Sequence, residues 1–327
     1  MLAQRSALVT GATGFIGSHL ANRLLAEGWA VRLIVRDAAR VPESLRQRCE
    51  LVVADLSEAA ALGAAVRCVE VIFHCAANVR TWDTLESYRR DNVTGVADLL
   101  DAIARENPRL ARLVHFSTMD VYGFPRAPCS EDDFPAECPF GYPRTKLEGE
   151  RMVAERCARA AIPYTVLRPG NVFGPGSQFV TRIGAELSSG VMMTVDSGRA
   201  NAGLIYIDNL LDYVLWAASA PQSVGRCYNV RDHYDVTWAE FIARLRSGLG
   251  AHRTVINLPF AVADALAVLS EGYYRTFLRG REPLLHRLLV RIFGRTCGHS
   301  AERVRVESGL TGRVSFDEAL ERSIASV

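Results

Sequence analysis

The sequence predicts an α/β protein, a doubly wound parallel sheet with helices on both faces and a smaller C-terminal lobe. Two observations carry that expectation. Strand-like and helix-like runs alternate through the first half of the chain, and the first apolar run leads directly into a glycine-spaced turn and an amphipathic stretch. A third observation, a tyrosine and a lysine four residues apart at 142 and 146, places chemistry on that frame.

The first strand is expected at residues 7–9, and Gly11-Ala12-Thr13-Gly14-Phe15-Ile16-Gly17 follows it into a helix over 18–27. In that setting Gly11 permits the tight turn, Gly14 lets a pyrophosphate approach the backbone, and Gly17 lets helix and strand pack closely. The helix N-terminus favours the phosphate charge. This is a Rossmann-type dinucleotide site in which Thr13, Phe15 and Ile16 fill the turn between the glycines. The second strand, 30–35, ends in Leu33-Ile34-Val35-Arg36-Asp37, where dinucleotide enzymes separate their two cofactors. Val35 stands where an NAD enzyme usually has a carboxylate, and Arg36 offers a guanidinium fork for a 2′-phosphate, with Arg40 assisting. NADP(H) is favoured; NAD(H) stays open if Asp37 reaches the ribose instead.

Further strands are expected at 51–53, 69–74, 113–117 and 164–167, between helices at 58–65, 88–105 and 142–160. From Pro169 the rhythm fails and Gly and Pro cluster over 169–176. Residues 1–170 are therefore assigned to the dinucleotide domain. Strand-like stretches at 204–207 and 227–230 are expected to return to its sheet, so 204–230 is counted with it. Residues 171–203 and 231–327 form the substrate lobe.

Tyr142 and Lys146 share one face of the helix over 142–160. An ammonium a few ångströms from a phenol favours the phenolate, so the pair can make a proton donor with a pKa drawn down from about 10. The plain alternative, a solvated helix face, loses weight because a nucleotide-binding turn precedes it.

Composition removes other classes. The 327 residues carry 38 Lys and Arg against 36 Asp and Glu, net +2, with no lysine-rich run, which argues against nucleic acid. Eight cysteines are scattered singly without CxxC or zinc spacing, so no metal is implied and reduced thiols in a cytoplasmic protein are expected. The first strand starts too early to leave room for a signal peptide, and the longest apolar stretch, 255–270, is interrupted and too short to span a bilayer.

Ordered motifs then carry a resemblance over nearly the whole chain. They are Thr10 to Gly17, Ala54-Asp55-Leu56, His74-Cys75-Ala76-Ala77, Asn92-Val93-Thr94-Gly95, Ser117-Thr118-Met119-Asp120-Val121-Tyr122-Gly123, Tyr142 to Lys146, Leu167-Arg168-Pro169-Gly170-Asn171-Val172-Phe173-Gly174-Pro175 and Tyr206-Ile207-Asp208-Asn209. Together they resemble the extended short-chain dehydrogenase/reductases of the NAD-dependent epimerase/dehydratase superfamily. The resemblance implies that Thr118 binds the substrate oxygen, that Tyr142 is the acid/base, and that Lys146 holds ribose and depresses the tyrosine pKa. Asp55, Leu56, Cys75, Ala76, Ala77, Asn92, Ser117 and Pro169 are implied as further cofactor contacts, beside Tyr142 and Lys146 themselves.

Within that superfamily, dehydratases usually follow the threonine with Asp-Glu, whereas Met119-Asp120 stands here. Sugar-nucleotide enzymes tend to clamp the diphosphate with an arginine where this chain has Ala202-Gly203. Asn171 keeps a sugar-nucleotide epimerase or dehydratase open as the alternative. A non-catalytic dinucleotide sensor ranks third, because such proteins typically lack the Tyr and Lys. The C-terminal third is closer to 3β-hydroxysteroid dehydrogenase-like and lipid or polyketide ketone reductases, through Leu258-Pro259-Phe260, Gly280-Arg281-Glu282-Pro283-Leu284 and the segment 308–320. An apolar ketone or secondary alcohol is the implied substrate. Leu284, Leu285, Leu288, Leu289, Ile292 and Phe293 stripe one face of a helix over 283–293, with Arg287 and Arg291 on another. That helix lines an apolar entrance, rests on a membrane surface or packs on its own lobe. Relatives dimerise through helices like 92–105 and 142–160, which implies a homodimer. His74 is read as a buried histidine beside the cofactor rather than a base, Trp82 and Tyr88 as substrate border or core, and the acidic loop 131–139, between Cys129 and Cys138, as a cover without a disulfide.

Overall fold

The computed structural model describes residues 4–326 except Ala136, Gly190, Arg253 and Arg279. Its strands are β1 Ser6–Thr10, β2 Ala30–Val35, β3 Glu50–Val53, β4 Val71–His74, β5 Arg112–Phe116, β6 Tyr164–Pro169, β7 Asn171–Phe173, β8 Met192–Val195, β9 Leu204–Tyr206, β10 Arg226–Val230 and β11 Val255–Leu258. The helices of the first domain are α1 Phe15–Ala26, α2 Glu43–Arg46, α3 Ala59–Val66, α4 Leu85–Arg89, α5 Gly95–Glu106 and α6 Gly141–Ala160. Then follow α7 Gln178–Ser189, α8 Ile207–Ser219, α9 Trp238–Gly248, α10 Phe260–Phe277, α11 Arg287–Gly294, α12 Glu302–Ser308 and α13 Phe316–Ile324.

Seven parallel strands form the main sheet in the order β10-β6-β5-β4-β1-β2-β3. β4 and β5 are buried along their whole length, as runs such as Val71-Ile72-Phe73-His74 require when helices cover both faces. One face packs on α1 and α8, with Val9, Phe73, Val114 and Leu167 at its centre; the other packs on α3, α5 and α6, with Leu8, Ile72, Leu113 and Val166. The chain reverses its winding between β1 and β4, so the crevice expected of such sheets opens at their carboxyl ends.

Two expectations need correction. The strand at 204–206 does not join the main sheet; it pairs in parallel with Asn171–Phe173 as a separate two-stranded sheet, while β10 does add to the main edge. The run expected as one helix over 88–105 is broken by a π-turn at Arg90–Thr94. The reason is Asn92. Its Oδ1 accepts from the Asn78 amide at 2.7 Å, and its Nδ2 donates to the Asn78 carbonyl at 3.1 Å and the Thr145 hydroxyl at 3.0 Å. Three bonds to two distant segments hold the wider turn.

In the C-terminal lobe, β8 and β11 form a parallel pair, and α10 and α11 pack together through Ala263, Ala267, Val290, Leu285 and Phe293. No helix among the described residues is long and apolar enough to cross a membrane.

Candidate active site

The glycine turn sits in the crevice with little freedom to change. Gly11 has φ +70°, and a Cβ there would lie 2.6 Å from the Ala76 nitrogen; a Cβ on Gly17 would lie 2.4 Å from the Gly11 carbonyl oxygen. Both glycines therefore hold β1, β4 and α1 in close contact. Gly14 precedes the first turn of α1, is exposed, and meets nothing closer than 3.3 Å at its own Cβ position. A bare backbone before a helix N-terminus is a cradle suited to a pyrophosphate. Thr13, Phe15 and Ile16 are half-buried around it.

Other residues expected at the cofactor fall around the same crevice. Cys75, Ala76 and Ala77 follow β4 half-buried, and the Thr10 hydroxyl accepts from the Ala76 amide at 3.1 Å. Ser117 follows β5, buried, its hydroxyl without a hydrogen-bond partner among the described residues. Pro169 closes β6 and Leu56 packs beside Gly95. Asp55 is held below its usual range by hydrogen bonds from the Ser57 amide and hydroxyl, with the Arg36 charge adding to this. Arg36 is exposed at the end of β2, whereas the Asp37 carboxylate already caps a short turn by accepting from the Ala39 amide at 2.9 Å. Asn92 is fully engaged as a tie between segments, as described above.

Helix α6 brings Tyr142, Lys146 and Glu150 onto one face at successive turns. The Thr118 hydroxyl lies within hydrogen-bonding reach of the Tyr142 phenol and accepts from the Asp120 amide at 3.2 Å, capping the turn Met119–Tyr122. Lys146 is buried and donates to the Phe116 carbonyl at 2.5 Å. Burial pushes its ammonium down to about 8, against the Glu150 carboxylate, which favours the charge.

The expectation of a depressed phenol is corrected here. Burial raises the Tyr142 pKa, the Asp120 carboxylate raises it further, and only the Thr118 hydrogen bond opposes them. Lys146 is not among the groups that move it. Asp120 in turn is pushed up to about 6 by burial, with Thr118 opposing. The site therefore presents a neutral phenol and a carboxyl that titrates beside it. The sequence showed Asp120 only as a departure from a motif; its approach to Tyr142 depends on how two distant segments meet.

Beneath these groups runs a polar layer that sequence reasoning missed in part. His74 is buried as expected, its Nδ1 2.9 Å from the Thr10 hydroxyl, with its pKa lowered to about 3 by burial and the Lys146 charge. It stacks on His115 at 5.4 Å between ring centroids, the two lying side by side in β4 and β5. Glu150 forms a buried two-pronged pair with Arg168, which donates onward to the Tyr122 hydroxyl at 2.8 Å. The signal was present in the Tyr142, Lys146, Glu150 spacing and in Leu167-Arg168-Pro169.

The outer wall is apolar. Phe124, Cys138 and Leu288 form a buried cluster against which Phe140, Tyr142 and Ile292 pack. Thus α11 supplies Leu288 and Ile292 to the packing around Tyr142. Its Arg287 and Arg291 pair with Glu271 and Asp264 of α10 instead of facing outward. The helix expected over 283–293 begins only at Arg287, so Leu284 and Leu285 precede it and Leu284 is exposed, while Leu288 and Ile292 of the stripe face the interior. Tyr88 is buried, donating to the Arg80 carbonyl at 2.7 Å, and Trp82 lies 5.6 Å from His286 between ring centroids. Cys129 and Cys138 are both free thiols. Among the described residues no cluster of His, Cys, Asp and Glu could hold a metal.

The sequence profile of the NAD dependent epimerase/dehydratase family matches residues 7–230. A 4-hydroxy-2-methyl-3-oxo-4-farnesyl-3,4-dihydroquinoline-1-oxide ketoreductase of Stigmatella aurantiaca is 29% identical over 318 residues, 96% of this chain and 94% of that protein. A 2-alkyl-3-oxoalkanoate reductase of Stenotrophomonas maltophilia is 28% identical over 331 residues, 98% of both. Among solved structures, MoeE5 in complex with UDP-glucuronic acid and NAD superposes with a TM-score of 0.79 at 22% identity, covering 98% of each chain, which speaks to the fold.

Proposed function

Because the chain belongs to the NAD dependent epimerase/dehydratase family, we propose that it is an oxidoreductase interconverting a ketone and a secondary alcohol on an apolar substrate. The observation that carries this reading is the setting of Tyr142: a neutral phenol beside the Thr118 hydroxyl, walled by Phe124, Phe140, Leu288 and Ile292. Two relatives that span nearly the whole chain support it: one is named a ketoreductase of a farnesyl-bearing dihydroquinoline oxide, the other a 2-alkyl-3-oxoalkanoate reductase.

In reduction, Thr118 and Tyr142 hydrogen-bond the carbonyl oxygen and draw charge onto it. A bound dihydronicotinamide dinucleotide supplies the hydride. Tyr142 gives its proton to the developing alkoxide, with the Thr118 hydroxyl, which opposes the effect of burial on the phenol, hydrogen-bonded beside it. The apolar wall excludes water and seats the substrate chain. Gly11, Gly14 and Gly17 would hold the pyrophosphate with Thr13, Phe15 and Ile16; Lys146 would hold the ribose; Asp55, Leu56, Cys75 to Ala77, Ser117 and Pro169 would line the remainder, with Asn92 acting indirectly by fixing the 78 segment. Arg36 is free to meet a 2′-phosphate while Asp37 is occupied, which favours NADP(H) over NAD(H).

The sugar-nucleotide alternative is weakened at two places. Gly203, where a clamping arginine would stand, has φ +57°, and a Cβ there would lie 2.1 Å from the Cys297 carbonyl oxygen. The Asn171 amide is already donated to the Ala202 carbonyl at 2.7 Å. The test is the dihydronicotinamide absorbance on adding long-chain 2-alkyl-3-oxoalkanoates and simple aliphatic ketones. Steady oxidation of NADPH is expected, and Tyr142→Phe should lower turnover at least about 100-fold with cofactor affinity little changed. No oxidation with any ketone, or near-normal turnover in the variant, rules the reading out.

A further inference from the structure

We propose that the outer face of α10 is a docking surface for an anionic lipid bilayer. Val262, Leu266, Leu269, Tyr273 and Phe277 recur at intervals of three and four along α10, a single stripe, and all lie between 44% and 70% exposed. A helix of a soluble domain normally turns such a stripe to the core. Here the core-facing side is a different one, made by Ala263, Ala267 and the buried Glu271. Leu284, 81% exposed in the segment after the helix, adds a further apolar side chain. Contiguous apolar surface of this kind marks an interaction site.

The charges around the stripe say what covers it. Both carboxylates of α10 face inward: Asp264 pairs with Arg291 at 3.2 Å, and Glu271 receives the Arg287 amide at 2.8 Å together with the Arg287 and Arg275 side chains. No carboxylate of the helix is left on its outer side. Residues 260–295 contain six arginines against three carboxylates, an excess of three in a chain whose whole net charge is +2. Arg281 is exposed and outside every ion pair among the described residues, whereas Arg275 turns to Glu271 and the Trp82 ring. An apolar stripe ending in Tyr273 and Phe277, with no outward carboxylate on its helix and the unpaired Arg281 just beyond it, fits a helix lying in the headgroup region of a negatively charged leaflet. A second copy of the chain fits less well, since a two-fold contact would set the same arginine-rich surface against itself.

The position has a consequence for the site. Helix α11 packs on the inner side of α10 through Val290 and Phe293 and on Tyr142's cluster through Leu288 and Ile292, so it links α10 to the apolar wall. A bilayer on α10 therefore contacts the helix pair that walls the site.

Flotation of the full-length protein with vesicles of phosphatidylcholine and phosphatidylglycerol, with phosphatidylcholine alone as the second arm, tests this. Binding is expected to the anionic vesicles, at least about tenfold weaker to the neutral ones and in 0.5 M salt. Leu269→Glu with Phe277→Glu should reduce binding at least about tenfold, and Arg281→Glu by about fivefold, given roughly 1 kcal/mol per basic residue near the surface. All three side chains are solvent-exposed, so circular dichroism and NADPH binding should be unchanged. Absence of wild-type binding, equal binding by the double variant, or a self-association abolished by Leu269→Glu without any vesicle binding overturns the proposal.

Discussion

Replacing Lys146 by methionine should make the protein more stable while disabling it. The ammonium is buried and its pKa falls from 10.5 to about 8, so folding disfavours the charged form. A difference of that size corresponds to about 3 kcal/mol at 1.36 kcal/mol per unit. The sign follows from proton binding: between pH 8 and 10.5 the unfolded chain holds the proton and the folded one has lost it. The penalty is therefore absent above 10.5, grows as pH falls, and is fully present below about 8. Methionine has a similar length and no charge. Against the relief stands the Phe116 carbonyl, which loses its 2.5 Å donor at a cost of about 1–2 kcal/mol. A net gain of about 1–2 kcal/mol remains at neutral pH.

Urea unfolding without dinucleotide, at pH 7 and at pH 10, reads this directly. The variant should unfold at higher urea at pH 7, and the advantage should shrink or invert at pH 10. In the same variant NADPH affinity should fall, and turnover with it, because the proposed ribose contact is lost. A variant less stable than wild type at pH 7, or an offset indifferent to pH, refutes the reasoning about burial. Loss of rate with NADPH affinity intact refutes the ribose role.

Two further outcomes are expected. Arg36→Ala should weaken NADPH by about tenfold or more while NADH changes little, measured by fluorescence titration; equal losses would show that Arg36 does not meet the 2′-phosphate. Asp120 ionises near pH 6, and its charge makes the Tyr142 phenol a poorer acid, so ketone reduction should slow as pH rises through about 6. Asp120→Asn should flatten that step in the kcat profile, and a step that persists would assign the ionisation to another group.

What the sequence could reveal depended on how local the cause was. The turn at Gly11 to Gly17 and the spacing of Tyr142 and Lys146 are each decided within one turn of backbone or helix, and the structure places them accordingly. Strand 204–206 was legible as a strand but not in its pairing, because three apolar residues look alike beside either sheet. Its partner, Asn171–Phe173, follows one residue after β6, and Gly170 lets the Gly203 backbone approach closely enough to pair. The tyrosine's acidity was misjudged for the same reason. Lys146 is close in sequence, but the groups that move the phenol are burial and Asp120, which arrive from another strand's end.

The two helices of the C-terminal lobe show where periodicity stops being informative. In α11 the leucine stripe correctly marked a face removed from water, yet periodicity does not say what removes it, and the answer is Tyr142's cluster on one side and α10 on the other. In α10 the sequence is apolar almost all round, so no stripe stands out and the exposed one is hidden among residues that pack. Only the inward turn of Asp264 and Glu271 toward arginines reveals which side faces outward. A surface carboxylate on that helix would have spared the protein an apolar face. Its two carboxylates instead secure α11 against α10, and α11 is the element that walls Tyr142.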